Sequence, residues 1–215
     1  MALPGELIED IVVNKFTEET ALKFRTQIQK RSLLDPSMPI IVYIDSYGGQ
    51  VDALNHMIST LESVPNTIIT VCVAKAMSCG AVLLSAGDVR FIDKHARVMI
   101  HEVSGGAFGS VDDVKNDVEE MNRLNIQLMT FISKRCKLSY NELKQKIKDN
   151  EGRDLFLTAQ QAKDIGIVEY IGLPVVKPVV MYQVEAIPEK KYGTVLEGAE
   201  KQQIKKVIKK KAKKK

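Results

Sequence analysis

Apolar and polar positions along this chain follow two rhythms. Ile40-Ile41-Val42-Tyr43-Ile44 and the stretch from Thr67 to Val73 are short, near-continuous apolar runs. Runs of that length fit strands buried on both faces, as in a parallel sheet. Between them the spacing turns helical. Val51, Leu54, Met57, Ile58 and Leu61 share one face of a helix predicted from Val51 to about Ser63. Val114, Val118, Met121, Leu124, Leu128 and Ile132 do the same in a helix predicted from Val111 to about Cys136. That helix is long beside the usual globular length of about 11–12 residues, so it is expected to project from the sheet.

The remaining elements follow from punctuation. Leu7 to Val13 reads as a short strand. Thr17 is the N-cap of a helix running to Arg31, with Glu18 and Glu19 in its first turn. A helix starts after Ser78 and ends near Gly87, and Arg97 to Ile100 is a third core strand. Thr158-Ala159-Gln160-Gln161 is a capping box for a helix stopping at Gly166, and Ile167 to Ile171 is a last strand. Alternating strands and helices predict an α/β layered fold. Residues 1–172 form one domain in this reading. Residues 173–215, with Pro174, Pro178 and Pro188, form an extended and disordered appendage.

Charge sharpens the division. The formal net charge is +4, yet residues 201–215 contain nine lysines and no acid. Without them, 22 basic residues face 27 acidic ones. The body is mildly acidic and the tail strongly basic, which suits solvated chain or a salt-sensitive contact with nucleic acid or an acidic protein. No aromatic residue interleaves the lysines, which counts against base stacking. No apolar run approaches the roughly 18–20 residues of a membrane helix, and the first residues lack the pattern of a secretory signal. Cys72, Cys79 and Cys136 form no Cys-x-x-Cys pair. Neither a disulfide framework nor a metal site is expected, and a cytoplasmic location is.

The candidate chemistry lies where strands end, the usual place for ligand sites in open α/β sheets. Ser78, in Ala76-Met77-Ser78-Cys79-Gly80, stands at a strand-to-helix corner. There a hydroxyl is reachable and helix N–H groups are unsatisfied, as an acyl-transfer nucleophile requires. A serine needs a base. His56 lies in an amphipathic helix and His95 in a polar loop, whereas His101 ends an apolar strand and precedes a glycine loop. For an orienting acid, Asp93, Asp112, Asp113 and Asp154 all remain open. Gly48-Gly49 is either a tight turn or a pair of backbone donors bared to an oxyanion. No nucleotide-binding glycine motif is present. Cys79 is a rival nucleophile or, more in keeping with its apolar helix start, an inert packing residue.

Four segments, in order, resemble the proteolytic-subunit family of ATP-dependent Clp proteases, serine peptidases of the crotonase-like superfamily. They are Asp45-Ser46-Tyr47-Gly48-Gly49, Met77-Ser78-Cys79-Gly80-Ala81, Arg97-Val98-Met99-Ile100-His101-Glu102-Val103 and Arg153-Asp154-Leu155-Phe156-Leu157-Thr158-Ala159. The resemblance spans about residues 6–172. It implies a repeated β-β-α superhelix with a protruding handle helix. It implies Ser78 as nucleophile, His101 as general base and Asp154 as orienting carboxylate, with backbone N–H groups of Gly49 and Cys79 as oxyanion hole. Gly105, Gly106 and Gly109 correspond to the strand that pairs with an extended peptide. Arg153 corresponds to a residue linking ring contact to Asp154. Stacked seven-membered rings enclosing polypeptide substrates are implied, with no cofactor.

The departures are Tyr47 for proline, Glu102-Val103 for Gln-Pro and Gly152 for an acidic residue. The short lead into the first core strand counts against an AAA+ unfoldase partner. The alternatives are a phage-type processing peptidase working without an ATPase, a non-catalytic ring subunit and, more remotely, a crotonase acting on a CoA thioester.

Overall fold

The computed structural model describes residues 9–150 and 154–177. The order of elements is β1 (Ile11–Val13), α1 (Glu18–Leu34), β2 (Ile40–Ser46), α2 (Val51–Glu62), β3 (Ile68–Met77), α3 (Cys79–Ser85), β4 (Val89–Ile92), β5 (Arg97–Ile100), α4 (Val111–Ser133), α5 (Tyr140–Asp149), β6 (Leu155–Thr158), α6 (Ala159–Asp164) and β7 (Tyr170–Ile171). The fold is the expected α/β, crotonase-like one. Strands β1-β2-β3-β4-β7 form a parallel path, β5 joins β3 in parallel, and β6 runs antiparallel to β5.

The ten-residue β3 organises this sheet. On one edge its first half, Ile69–Cys72, pairs with β4, and its last residues, Lys75–Met77, pair with β5. The sheet therefore splits along β3, and the second branch carries the C-terminal ends of β3 and β5 away together. On the other edge β2 follows β3 from Ile40↔Ile68 to Ile44↔Cys72 and then shifts register to Ser46↔Ala76. Only alternate residues of β2 are fully buried, so this strand is more open on one face than its apolar run predicted.

Helices α1, α2 and α3 bury Phe24, Ile28, Leu54, Met57, Leu83 and Leu84 in the core. Thr17 caps α1 with a reciprocal Thr17–Thr20 pair, and α1 runs three residues past Arg31. The whole of α3 is buried, and Thr70 Oγ1 donates to the Leu84 carbonyl at 2.6 Å beneath it. Helix α4 has 23 residues, about 35 Å at 1.5 Å per residue. Of these only Leu128, Met129 and Ile132 are buried, while Val111, Val118 and Ile126 lie exposed. Its first turns therefore leave the core, as the helix length predicted.

Three elements escaped sequence reading. Strand β4 has only one fully buried residue, Ile92. Strand β6 exposes Phe156, and α5 is a short polar helix held by Leu143 and Ile147. The last strand is shorter than predicted, two residues instead of five. The first compact unit ends at Val175. Arg153 and the lysine-rich tail lie outside the described residues. Among the described residues, no helix is long and apolar enough to cross a membrane.

Gly87 tests how tightly α3 is seated. A Cβ there would lie 2.4 Å from Thr70 Oγ1. Gly87→Ala is expected to displace the Thr70–Leu84 hydrogen bond and cost about 1–3 kcal/mol. The check is a lower denaturation midpoint with unchanged slope in urea.

Candidate active site

Ser78 is where β3 stops and α3 begins. Its backbone has φ 54° and ψ −120°, and it is the one described non-glycine residue with positive φ. These angles match the first central position of a type II′ turn, normally a glycine position. Such a conformation costs on the order of 1–3 kcal/mol. Packing and hydrogen bonds hold it. Ser78 N–H donates to Met99 O at 2.9 Å, and Ser78 O accepts from Ala81 N–H at 2.9 Å. The side chain makes no helix cap. Its Oγ instead lies 2.7 Å from His101 Nε2.

His101 directly follows β5. Since β5 is the strand that pairs with the end of β3, the two side chains are delivered to the same mouth. His56 is on α2 and His95 is exposed in its loop, so neither competes for this position.

The carboxylate candidates separate by position. Asp113 accepts from Ser110 Oγ at 2.6 Å at the start of α4, which holds its pKa below the usual carboxylate value. Asp93 accepts the His95 N–H at 2.9 Å, and Asp112 lies beside Lys115. Asp154 precedes β6. The antiparallel register ends at Ile100↔Leu155, so the next pair along the ladder is His101 and Asp154. Residues directly opposite in an antiparallel pair have neighbouring side chains on one face. Among the described residues no hydrogen bond joins the Asp154 carboxylate to His101. The Asp154 backbone is anchored, its carbonyl accepting from Asn150 Nδ2 at 2.7 Å.

Gly48 and Gly49 form the opposite wall. Gly48 has φ 108°, and a Cβ there would lie 2.7 Å from Ser78 Cβ. Gly49 has φ 151°, and a Cβ would lie 2.5 Å from Phe16 O. Both positions require glycine for space as well as conformation. The turn is braced by Gly48 N–H donating to Ser46 Oγ at 3.1 Å and Gln50 N–H donating to Phe16 O at 2.9 Å. Beside it, Lys75 Nζ meets Asp45 Oδ1 at 2.6 Å and lies 4.5 Å from the centroid of the exposed Tyr47 ring. The hydrogen bond to Asp45 holds the Lys75 ammonium above its usual pKa.

A cavity of about 70 Å³ opens between these walls. Val51, Val82, Ile100, Val103, Leu128, Met129 and Ile132 give it an apolar lining beside Ser78 and His101. Asn125 of α4 also reaches it. Its Oδ1 accepts the Val103 N–H at 3.1 Å and its Nδ2 donates to Glu102 at 3.5 Å. Sequence reasoning missed Asn125; its one signal was a polar residue beside the apolar stripe of Leu124 and Leu128. Ser104 lines the cavity, whereas Gly105, Gly106 and Gly109 lie beyond it in the exposed loop. Gly109 packs against Asp113 at the α4 cap.

Cys79 is 2% exposed, and burial raises its thiol pKa above the ordinary value. Burial pushes the Cys72 thiol up to about 12. Both therefore stay protonated at neutral pH and are poor nucleophiles. Among the described residues no cluster of His, Cys, Asp and Glu could hold a metal ion.

A sheet that splits along its central strand, and brings a strained serine and a histidine to one mouth, defines a crotonase-like protein of the Clp-peptidase type. The family model for Clp protease matches residues 9–174. The ATP-dependent Clp protease proteolytic subunits of two Bacteroides fragilis strains are 32% identical over 154 residues. The match covers 71% of this chain and 72% or 68% of those proteins. The proteolytic subunit of Bacteroides thetaiotaomicron is also 32% identical, over 71% of this chain and 68% of its own. The chain belongs to the Clp protease family.

The mouth leaves no room for a side chain at Gly48. Gly48→Ala is expected to break the Ser78–His101 contact while keeping the secondary structure. The measurement is a change in the His101 imidazole NMR signals at unchanged far-UV circular dichroism.

Proposed function

We propose that the chain is a serine endopeptidase that works through an acyl-enzyme. The observation that carries this reading is the 2.7 Å contact between Ser78 Oγ and His101 Nε2 at a backbone corner held in a strained conformation. With Nδ1 protonated, Nε2 accepts the hydroxyl proton as Oγ attacks the amide carbonyl carbon. The carbonyl π pair moves to oxygen, and the N–H groups of Gly49 and Cys79 stabilise that oxyanion. His101 then returns the proton to the leaving amine nitrogen as the C–N bond breaks. A water, deprotonated by His101, releases the acyl group by the reverse sequence and regenerates the serine.

Asp154 is the carboxylate that orients His101 in this reading, supported by its place opposite His101 in the β5–β6 ladder. The missing link between them suits a site completed by assembly. Exposed Val111, Val118 and Ile126 give α4 an apolar surface for other copies of the chain, as stacked, seven-membered rings would require. Arg153 would couple that contact to Asp154. Gly105, Gly106 and Gly109 would border the path of an extended polypeptide pairing by strand addition. The apolar cavity suits an apolar side chain of that peptide. The three free thiols suit the reducing cytoplasm. Native mass spectrometry with and without an AAA+ unfoldase tests that partner, and salt-dependent binding tests a nucleic-acid or acidic-protein contact for the lysine-rich tail.

The test is fluorophosphonate labelling mapped by peptide mass spectrometry. The wild-type chain is expected to label at Ser78 and His101→Ala not to. Absence of labelling in an assembled sample overturns the serine reading. In peptide hydrolysis, Asp154→Asn is expected to lower kcat by about 10⁴-fold. Specific activity is expected to rise with protein concentration as rings form. Activity that stays constant under dilution to monomers, followed by native mass spectrometry, contradicts the dependence on assembly.

A further inference from the structure

The mechanism above uses the backbone of Cys79 and leaves its thiol without a task. That thiol is directed at a specific acceptor, since Sγ lies 3.3 Å from the Gly49 carbonyl oxygen, 30 residues away in sequence. The Gly49–Gln50 peptide unit is thereby held at both ends. Its N–H, from Gln50, donates to Phe16 O at 2.9 Å, and its C=O, from Gly49, faces the thiol. Phe16 and Gly49 form a parallel bridge. In that pattern the partner strand bonds the groups of the flanking residues, so Gly49's own N–H and C=O face away from Phe16. Gly49 also lines the cavity beside Ser78 and His101.

A glycine at φ 151° has no side chain to limit its rotation. Its N–H belongs to the Gly48–Gly49 peptide, which joins the tethered Gly49–Gln50 unit through the Gly49 Cα, so the bonds that hold that unit set the frame from which the N–H points. Phe16 supplies one of these from the buried sheet side, and Cys79 supplies the other from the mouth. We propose that the Cys79 side chain is a positioning residue whose S–H donates to the Gly49 carbonyl and so aims the Gly49 N–H at the oxyanion. This inference rests on the oxyanion hole proposed above. One residue then serves both halves of the hole, with its N–H as one donor and its thiol as the tether of the other. Burial keeps the thiol protonated, as a donor must be.

A packing role would need only volume, and three variants separate the two. Cys79→Val keeps the site filled, with one methyl more, and loses the donor, Cys79→Ala loses both volume and donor, and Cys79→Ser keeps a donor. Cys79→Val and Cys79→Ala are expected to lower kcat for peptide hydrolysis about tenfold at unchanged KM. That is a fraction of the roughly 10²–10³-fold lost when an oxyanion donor is deleted outright. Cys79→Ser is expected to recover most of the rate. The fluorophosphonate labelling rate at Ser78 should follow the same order, and a hydrogen-bonded S–H stretching band should vanish in Cys79→Ser. Should Cys79→Val fold poorly, Cys79→Ala against Cys79→Ser carries the comparison.

A wild-type chain that does not label at Ser78 overturns the serine reading and this inference with it. A wild-type chain that labels, with Cys79→Val or Cys79→Ala labelling equally fast, overturns the thiol's role alone. So does a Cys79→Ser variant as slow as Cys79→Ala, or an effect confined to KM.

Discussion

The hydrogen bond from Ser78 N–H to Met99 O holds the rest of the site in place. It continues the parallel pairing of β3 with β5 by one residue beyond the Met77↔Met99 rung. Without it, nothing in the local sequence favours φ 54° for a serine, because the neighbouring residues gain nothing from the left-handed turn. With it, the chain must reverse at Ser78 to enter α3. The hydroxyl is expelled from the sheet plane at the level where β5 releases His101. Ser78 and His101 are thus aligned by strand pairing rather than by side-chain packing. This accounts for a contact as short as 2.7 Å between residues 23 positions apart.

That alignment constrains the opposite wall. Ser78 Cβ occupies the space a side chain at residue 48 would need, and Phe16 O occupies the space needed at residue 49. The β2–α2 turn can approach the serine only as two glycines. Their flexibility has to be removed again by bonds to Ser46, Phe16 and Cys79. Three such tethers, from β2, from the connection between β1 and α1 and from α3, hold the turn more firmly than a single side chain would. Tyr47, exposed above them, is free to take a side chain of its own, steadied by Lys75.

The strongest elements were legible because their apolar periodicity is long and regular. Helices α2 and α4 and the apolar parts of β2 and β3 fall in this class. Ser78 and His101 were legible because each ends such an element. Strands β4 and β6 were not, because their pairing rather than their composition makes them strands. Phe156 is half exposed, and only Ile92 of β4 is fully buried. The placement of Asp154 opposite His101 depends on the β5–β6 register, a non-local pairing that no local pattern encodes. Composition left four aspartates open, and the hydroxyl partner of Asp113 and the backbone partner of Asp93 came into view only with the fold. The contacts of the Cys79 thiol and Asn125 were invisible for the same reason. Each is a contact between segments more than 20 residues apart.

The site therefore has a stiff coordinate and a soft one. Ser78, His101 and the glycine wall are each fixed by the backbone of the central sheet. Asp154 sits at the start of β6, the outermost strand of the second branch, which among the described residues pairs with β5 alone. Its backbone is tied to Asn150 at the end of α5, whereas its carboxylate makes no bond to His101. Stability is least uniform at such edges, where few neighbours oppose a shift. A partner that braced β6 or α5 would need to move one side chain to bring the Asp154 carboxylate to His101, and no rearrangement of the core would be required. On the proposed reading, assembly then acts as a switch on the soft coordinate alone. The costly strain at Ser78 is already met within the fold of the single chain.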